Sequence, residues 1–280
     1  MSKKPLKVRY HFSLVFFAAI VIFGLFFYRY MKTSTLEDVL SQDRSIVVPA
    51  LSDNIDEKTN GGNDDAASDK PDNAEPGEII NPVPESAAKD KEYLNSCVFI
   101  GDSLTFGLAS YEVVPASSVY ASVSMNISKV ETEIIDTPYG RMNVIDALKE
   151  SAPENIYIML GSSGAAWMSV SDMYQSFRSF ADRVKVLCPD SHIYIISVPP
   201  VTSEKETSKE SPVLNADLDR FNERLLEYAN TNQMHYLDLN TYLKNDSGVL
   251  PKGDAENDGV HFKYSTYEKF VDYILSHTVS

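Results

Sequence analysis

Two short strings carry the reactive side chains. Gly101-Asp102-Ser103-Leu104 follows directly on the apolar run Cys97-Val98-Phe99-Ile100. A serine hydroxyl is a weak nucleophile until a base takes its proton. Asp258-Gly259-Val260-His261 stands near the other end of the chain. At that spacing, with Gly259 free to turn, a carboxylate reaches the imidazole of its own loop, fixes its tautomer and supports the imidazolium. These residue types fit nucleophilic acyl transfer, with Ser103 as nucleophile, His261 as general base and acid, and Asp258 as the orienting acid. The other histidines beyond residue 90 have plainer readings. His192 and His235 open apolar runs, and His277 ends a helical pattern, where a cation is favoured.

For the two strings to meet, regular elements must bring them together. Five apolar runs read as strands, at 97–100, 119–123, 156–160, 193–197 and 235–239. They are short, rich in Ile, Val and Tyr, and bounded by Gly, Pro or Asp, as buried parallel strands are. Helical patterns cover 142–151, 170–187, 214–229 and about 265–276. In the third, Leu214, Leu218, Phe221, Leu225 and Tyr228 form one stripe. This alternation predicts a parallel sheet with helices on both faces. Ligand sites in such sheets lie beyond the carboxyl ends of the strands, where Ser103 stands. A backbone N–H at the turn after that strand helps hold an oxyanion. Trp167 follows the third strand on the same edge, where walling a pocket or stacking on a sugar is one reading and packing in the core or at the rim is the other.

The chain has 280 residues, 43% of them hydrophobic, which suits one or two domains with a real core. Acids number 40 against 25 bases, so a nucleic-acid partner is not expected. The charge is uneven: residues 1–35 carry six bases and no acid, and residues 36–92 carry 15 acids against 5 bases. Residues 10–28 have no formal charge, a run that at about 1.5 Å per residue crosses a hydrocarbon core of roughly 30 Å. No small-x-small cleavage site follows, and the run ends in Phe27-Tyr28-Arg29-Tyr30-Met31, so an uncleaved signal anchor is expected. Four bases precede the span and two follow, which puts the N-terminus in the cytoplasm and the rest outside the cell membrane. Residues 33–92, rich in Asp, Asn, Gly, Pro and Ser, read as a disordered acidic tether. The expected organisation is a basic tail and transmembrane anchor at 1–32, the tether at 33–92 and a catalytic domain at 93–280. The two cysteines, Cys97 and Cys188, exclude a disulfide-rich scaffold and a four-Cys zinc site; one bridge and a buried free pair both stay open.

From about residue 95 to 277 the chain resembles the GDSL, or SGNH, family of serine hydrolases. The likeness rests on Gly101-Asp102-Ser103-Leu104 and on Asp258-x-x-His261, in that order within one α/β domain. Phe99 to Thr105, Phe-Ile-Gly-Asp-Ser-Leu-Thr, is similar to the opening of membrane-anchored or secreted bacterial members. The resemblance implies a flavodoxin-like three-layer α/β/α fold with a parallel sheet, and ester hydrolysis through an acyl-enzyme, with no metal and no cofactor. It gives Asp102 a positioning role in the turn. It also implies oxyanion donors from a Gly after the second strand and an Asn after the third.

This chain departs from that pattern, with Ser122-Val123-Ser124-Met125-Asn126 in the first place and Gly161-Ser162-Ser163-Gly164 in the second. The candidate donors are the N–H groups of Ser103, Ser124 and Met125 and the side chain of Ser163, which takes the Asn position. Asn126 is a further candidate donor and a substrate contact. Loss of a good oxyanion donor costs about 10²–10³ in rate. A tether of about 60 flexible residues reaches roughly 40–45 Å. Such confinement suits an acylated small molecule or an O-acetyl ester on a cell-envelope glycan. An O-acyltransferase on the same polymers, and a catalytically impaired glycan-binding or scaffold module, are the alternatives.

Overall fold

A computed structural model describes residues 79–279. The apolar span at 10–28 and the tether as far as residue 78 lie outside the described residues. Among the described residues no helix is long and apolar enough to cross a membrane.

Strands β1 (Cys97–Gly101), β2 (Val119–Ala121), β5 (Asn155–Met159), β6 (His192–Ile196) and β7 (His235–Leu237) form one parallel sheet, ordered β2-β1-β5-β6-β7. This is the flavodoxin-like 2-1-3-4-5 order. A small antiparallel pair, β3 (Ile135–Thr137) and β4 (Gly140–Met142), stands apart from it. Val98, Ile100, Ile156, Ile158, Ile193 and Ile195 point to one face. Helices α2 (Val144–Ser151), α3 (Val170–Leu187) and α5 (Asn215–Asn232) cover that face through Val144, Leu148, Phe177, Phe180, Leu218 and Phe221. Phe99, Tyr157, Met159, Tyr194 and Ile196 point to the other. There α1 (Ser103–Ser110) and α7 (Tyr264–Ser276) contribute Leu104, Leu108, Tyr267, Phe270 and Ile274. Two short helices, α4 (Ser203–Glu206) and α6 (Leu239–Leu243), complete the order. Burial on both faces is why the strands read as continuous apolar runs rather than as alternating ones.

One row of the sheet is aromatic. The register aligns Phe99, Tyr157, Tyr194 and His235 across four strands. Their ring centroids lie 4.9, 4.4 and 4.8 Å apart in turn. His235 is buried and its Nδ1 has no hydrogen-bond partner. Burial, helped by the nearby His192, lowers its pKa to about 4. Cys97 and Cys188 are both buried and free, and they pack in cores on opposite faces of the sheet. The open question between a bridge and a free pair is thereby answered, because the sheet lies between the two thiols.

Several boundaries differ from the sequence reading. Leu214 precedes α5 and is 46% exposed, so the stripe begins at Leu218. Leu239 opens α6 rather than ending β7, because Asp238 caps that helix by accepting the Thr241 N–H. Met142 ends β4, and α2 starts after the cap Asn143.

Residues 79–92, assigned to the tether by composition, pack on the domain. β7 is an edge strand, and this segment covers its open side. The Val83 N–H donates to Tyr236 O at 2.8 Å. Asn81 accepts the Tyr236 N–H at 2.6 Å and donates to Met234 O at 2.8 Å. Val83 itself is buried. An asparagine side chain and one valine thus close an edge that would otherwise be open to pairing with another chain.

Candidate active site

β1 ends in Gly101, where a Cβ would collide with Met159 O of the adjacent strand, so only glycine lets the chain turn here. Asp102 then caps α1, its Oδ1 accepting the Leu104 N–H at 3.2 Å. Ser103 is the first residue of the helix, with its hydroxyl at the carboxyl edge of the sheet and its N–H among the groups a helix leaves unpaired. Asp102 is 1% exposed. Its Oδ2 accepts the Ser162 hydroxyl at 2.6 Å, and the N–H and hydroxyl of Ser163 at 3.2 and 3.3 Å. A buried carboxylate is costly unless its lone pairs are filled, and these bonds fill them. They also tie the nucleophile's helix to the loop after β5.

His261 arrives from the loop before α7. Its Nε2 lies 2.8 Å from Ser103 Oγ and its Nδ1 lies 2.6 Å from Asp258 Oδ2. The other carboxylate oxygen of Asp258 accepts the N–H groups of Val260 and His261, both at 2.9 Å. Burial pushes the Asp258 carboxyl upward, but the His261 ring and these two N–H groups outweigh it and hold it below its ordinary value. An ionised Asp258 keeps the proton on Nδ1, which leaves Nε2 to accept from Ser103. This is the arrangement of a serine hydrolase triad. The side chains of His261 and Asp258 are 42% and 51% exposed, so the site opens at the surface.

The loop carrying these two residues is held from behind. Gly259 has φ of +74°, and its carbonyl accepts the Thr202 N–H at 3.0 Å. Phe262 is fully buried and packs edge-on against Tyr267 and Phe270. The segment after β6 that supplies Thr202 is fixed by three buried asparagines. Asn222 bonds both N–H and C=O of Val198, Asn215 does the same for Val201, and Asn240 donates to Val198 O. Sequence reasoning missed all three, since an Asn on a helix carries no sign that its amide replaces a strand partner.

The four oxyanion candidates divide. In the parallel register Gly101 pairs with Ala121, so the turn after β2 leaves the sheet beside Ser103. The N–H groups of Ser103 and Ser124 have no hydrogen-bond partner among the described residues. Met125 is different: its N–H bonds Ser122 Oγ at 3.1 Å and its side chain is fully buried. Ser163 is committed as well. Its N–H goes to Asp102, and the single hydroxyl proton faces Asp102 Oδ2 and Met125 O, the latter at 3.0 Å. The expectation that Met125 and Ser163 donate to an oxyanion is therefore corrected, because their donors are already bonded. Asn126 uses its oxygen to cap a local turn, accepting from Ser128 N and Ser128 Oγ at 3.0 and 2.7 Å. Trp167 is 62% exposed, with its indole N–H held by Ser163 O at 2.9 Å.

No family model matches the chain, and no curated protein matches it. Solved structures of similar fold include a GDSL-like lipase from Bacteroides thetaiotaomicron, at 15% identity over 68% of this chain and 88% of that one, with a TM-score of 0.48. Another is the lipase/acylhydrolase from Enterococcus faecalis, at 14% identity over 64% and 92%, with a TM-score of 0.44. Likenesses at this level leave the chemistry to the site's own distances.

Proposed function

We propose that this chain is an extracytoplasmic serine esterase that removes an acyl group, chiefly O-acetyl, from a cell-envelope glycan. The observation that carries the esterase reading is the unbroken line from Asp258 through His261 to Ser103, at 2.6 and 2.8 Å. Ser103 Oγ attacks the acyl carbonyl carbon as its proton passes to His261 Nε2. The carbonyl oxygen becomes an oxyanion, received by the N–H groups of Ser103 and Ser124. Collapse breaks the ester C–O bond, and the leaving alkoxide takes the proton from Nε2. Water then attacks the acyl-enzyme with His261 again as base, releasing the carboxylic acid and restoring Ser103.

The glycan reading has separate supports. The sequence pattern at 1–78 fits an anchor and tether that hold the domain near a membrane, with the open triad accessible to a polymer. Trp167 offers an exposed indole face whose only polar atom is already bonded, which suits stacking on a sugar ring. The test is acetate release by the full chain from O-acetylated peptidoglycan, beside Ser103→Ala and Trp167→Ala. Ser103-dependent release with a raised KM in Trp167→Ala supports the reading. Release from p-nitrophenyl acetate but from no envelope polymer would restrict the enzyme to small esters.

A further inference from the structure

We propose that Glu133 is a positioning residue for the oxyanion hole, acting through a relay of two serine hydroxyls. The inference rests on the esterase reading and names how its hole is held. The turn after β2 is closed by side chains as well as backbone. The Met125 N–H donates to Ser122 Oγ at 3.1 Å, and Ser122 Oγ lies 3.2 Å from Ser124 Oγ. Ser124 Oγ in turn donates to Glu133 Oε1, which also stands 3.5 Å from Ser122 Oγ. The Glu133 oxygen accepts the one hydroxyl proton of Ser124, so Ser124 Oγ can only accept from Ser122. Each hydroxyl then accepts from the group before it and donates to the one after, an arrangement in which the bonds strengthen one another.

Both ends of the relay are anchored. Met125, Ile127 and Val130, before Glu133 in the chain, and Ile135 after it are all buried, and the Glu133 N–H bonds Lys129 O at 2.8 Å. With the hydroxyls of Ser122 and Ser124 engaged, the N–H groups of Val123 and Ser124 are left without partners among the described residues. That turn leaves the sheet beside Ser103, as the pairing of Gly101 with Ala121 requires. A preset donor is worth most when nothing must reorganise as charge develops. Since Ser163 is bonded elsewhere, the precision of the hole falls on this turn, and Glu133 is the group that holds it.

The test compares Glu133→Ala, Glu133→Gln and Ser124→Ala with the wild-type full chain on p-nitrophenyl acetate. A second readout is the rate at which diisopropyl fluorophosphate phosphorylates Ser103 with loss of fluoride, read by mass. Glu133→Ala should lower kcat about tenfold or more, part of the cost of a lost oxyanion donor, with KM within about threefold. Labelling should slow in parallel. Glu133→Gln keeps an acceptor oxygen and should stay within about threefold of wild type. Ser124→Ala should reproduce the Glu133→Ala loss, and the double variant should lose no more than either, because both break one line. If Glu133→Ala fails to fold, Ser124→Ala still reports. Wild-type rates in Glu133→Ala, equal losses in the Gln and Ala variants, or multiplying losses in the double variant would overturn the proposal alone. A wild-type chain with neither turnover nor labelling of Ser103 would overturn the esterase reading, and this inference with it.

Discussion

Gly259→Ala puts the support behind the triad under strain without touching a reacting group. Gly259 sits at φ of +74°, a conformation that costs an L-residue roughly 1 kcal/mol. An added Cβ would collide with Thr202 Oγ1 and stand 2.9 Å from Lys205 Cβ. Neither neighbour is free to yield. Thr202 is 2% exposed, its N–H donates to Gly259 O, and its hydroxyl caps α4 by accepting the Lys205 N–H at 3.3 Å. Overpacking of this kind adds about 1–3 kcal/mol, for a total loss of about 2–4 kcal/mol. The relief available is an outward shift of the 258–261 loop. A displacement of about 1 Å at His261 spoils its reach to Ser103 and costs about 10²-fold in rate. The assay is kcat and KM for p-nitrophenyl acetate, with the urea midpoint of the same samples. A kcat lower by about 10²-fold with KM nearly unchanged is expected. A variant that unfolds earlier yet keeps kcat within threefold would refute the view that this glycine sets the position of His261.

Three further outcomes follow from named contacts. Asp258→Asn leaves the loop's shape but presents an amide to Nδ1, so kcat should fall by about 10³–10⁴ while Ser103 remains chemically intact; a loss under tenfold would remove Asp258 from the triad. Deleting residues 79–92 should cost about 3 kcal/mol of stability, from burial of Val83 and the bonds of Asn81; an unchanged urea midpoint would show that the segment is only tether. His235 is buried with its pKa lowered to about 4, so between that value and the ordinary 6.5 the unfolded chain binds more protons. Its contribution is complete above pH 6.5 and falls by up to about 3 kcal/mol as pH drops toward 4. His235→Phe keeps the aromatic row and should flatten that part of the stability–pH curve; an identical slope in the variant would place the acid sensitivity elsewhere.

The triad was legible because its two strings are local. A strand running into Gly-Asp-Ser needs only one turn to expose the hydroxyl, and Asp258 reaches His261 within a single loop. The sheet was legible from five apolar runs, and its helices from their spacing. What stayed hidden depends on where a side chain points. Ser163 occupies the expected donor position, but its proton is taken by Asp102 and Met125 O, which no string of letters reveals. Asn215, Asn222 and Asn240 look like surface residues and instead hold buried backbone. Asn81 and Val83 lie in a stretch whose composition suggests disorder, and two residues that complete a sheet edge are too few to change that signal. Glu133 is one acid among 40, set apart only by the hydroxyls that meet it.

The most direct measurement is hydrolysis of p-nitrophenyl acetate by the wild-type full chain beside Ser103→Ala, at neutral pH. A saturable rate that disappears in Ser103→Ala is predicted, with an acetyl adduct on Ser103 trapped by rapid acid quench. Equal rates in the two proteins, or an adduct on another residue, would contradict the assignment of Ser103 as the nucleophile.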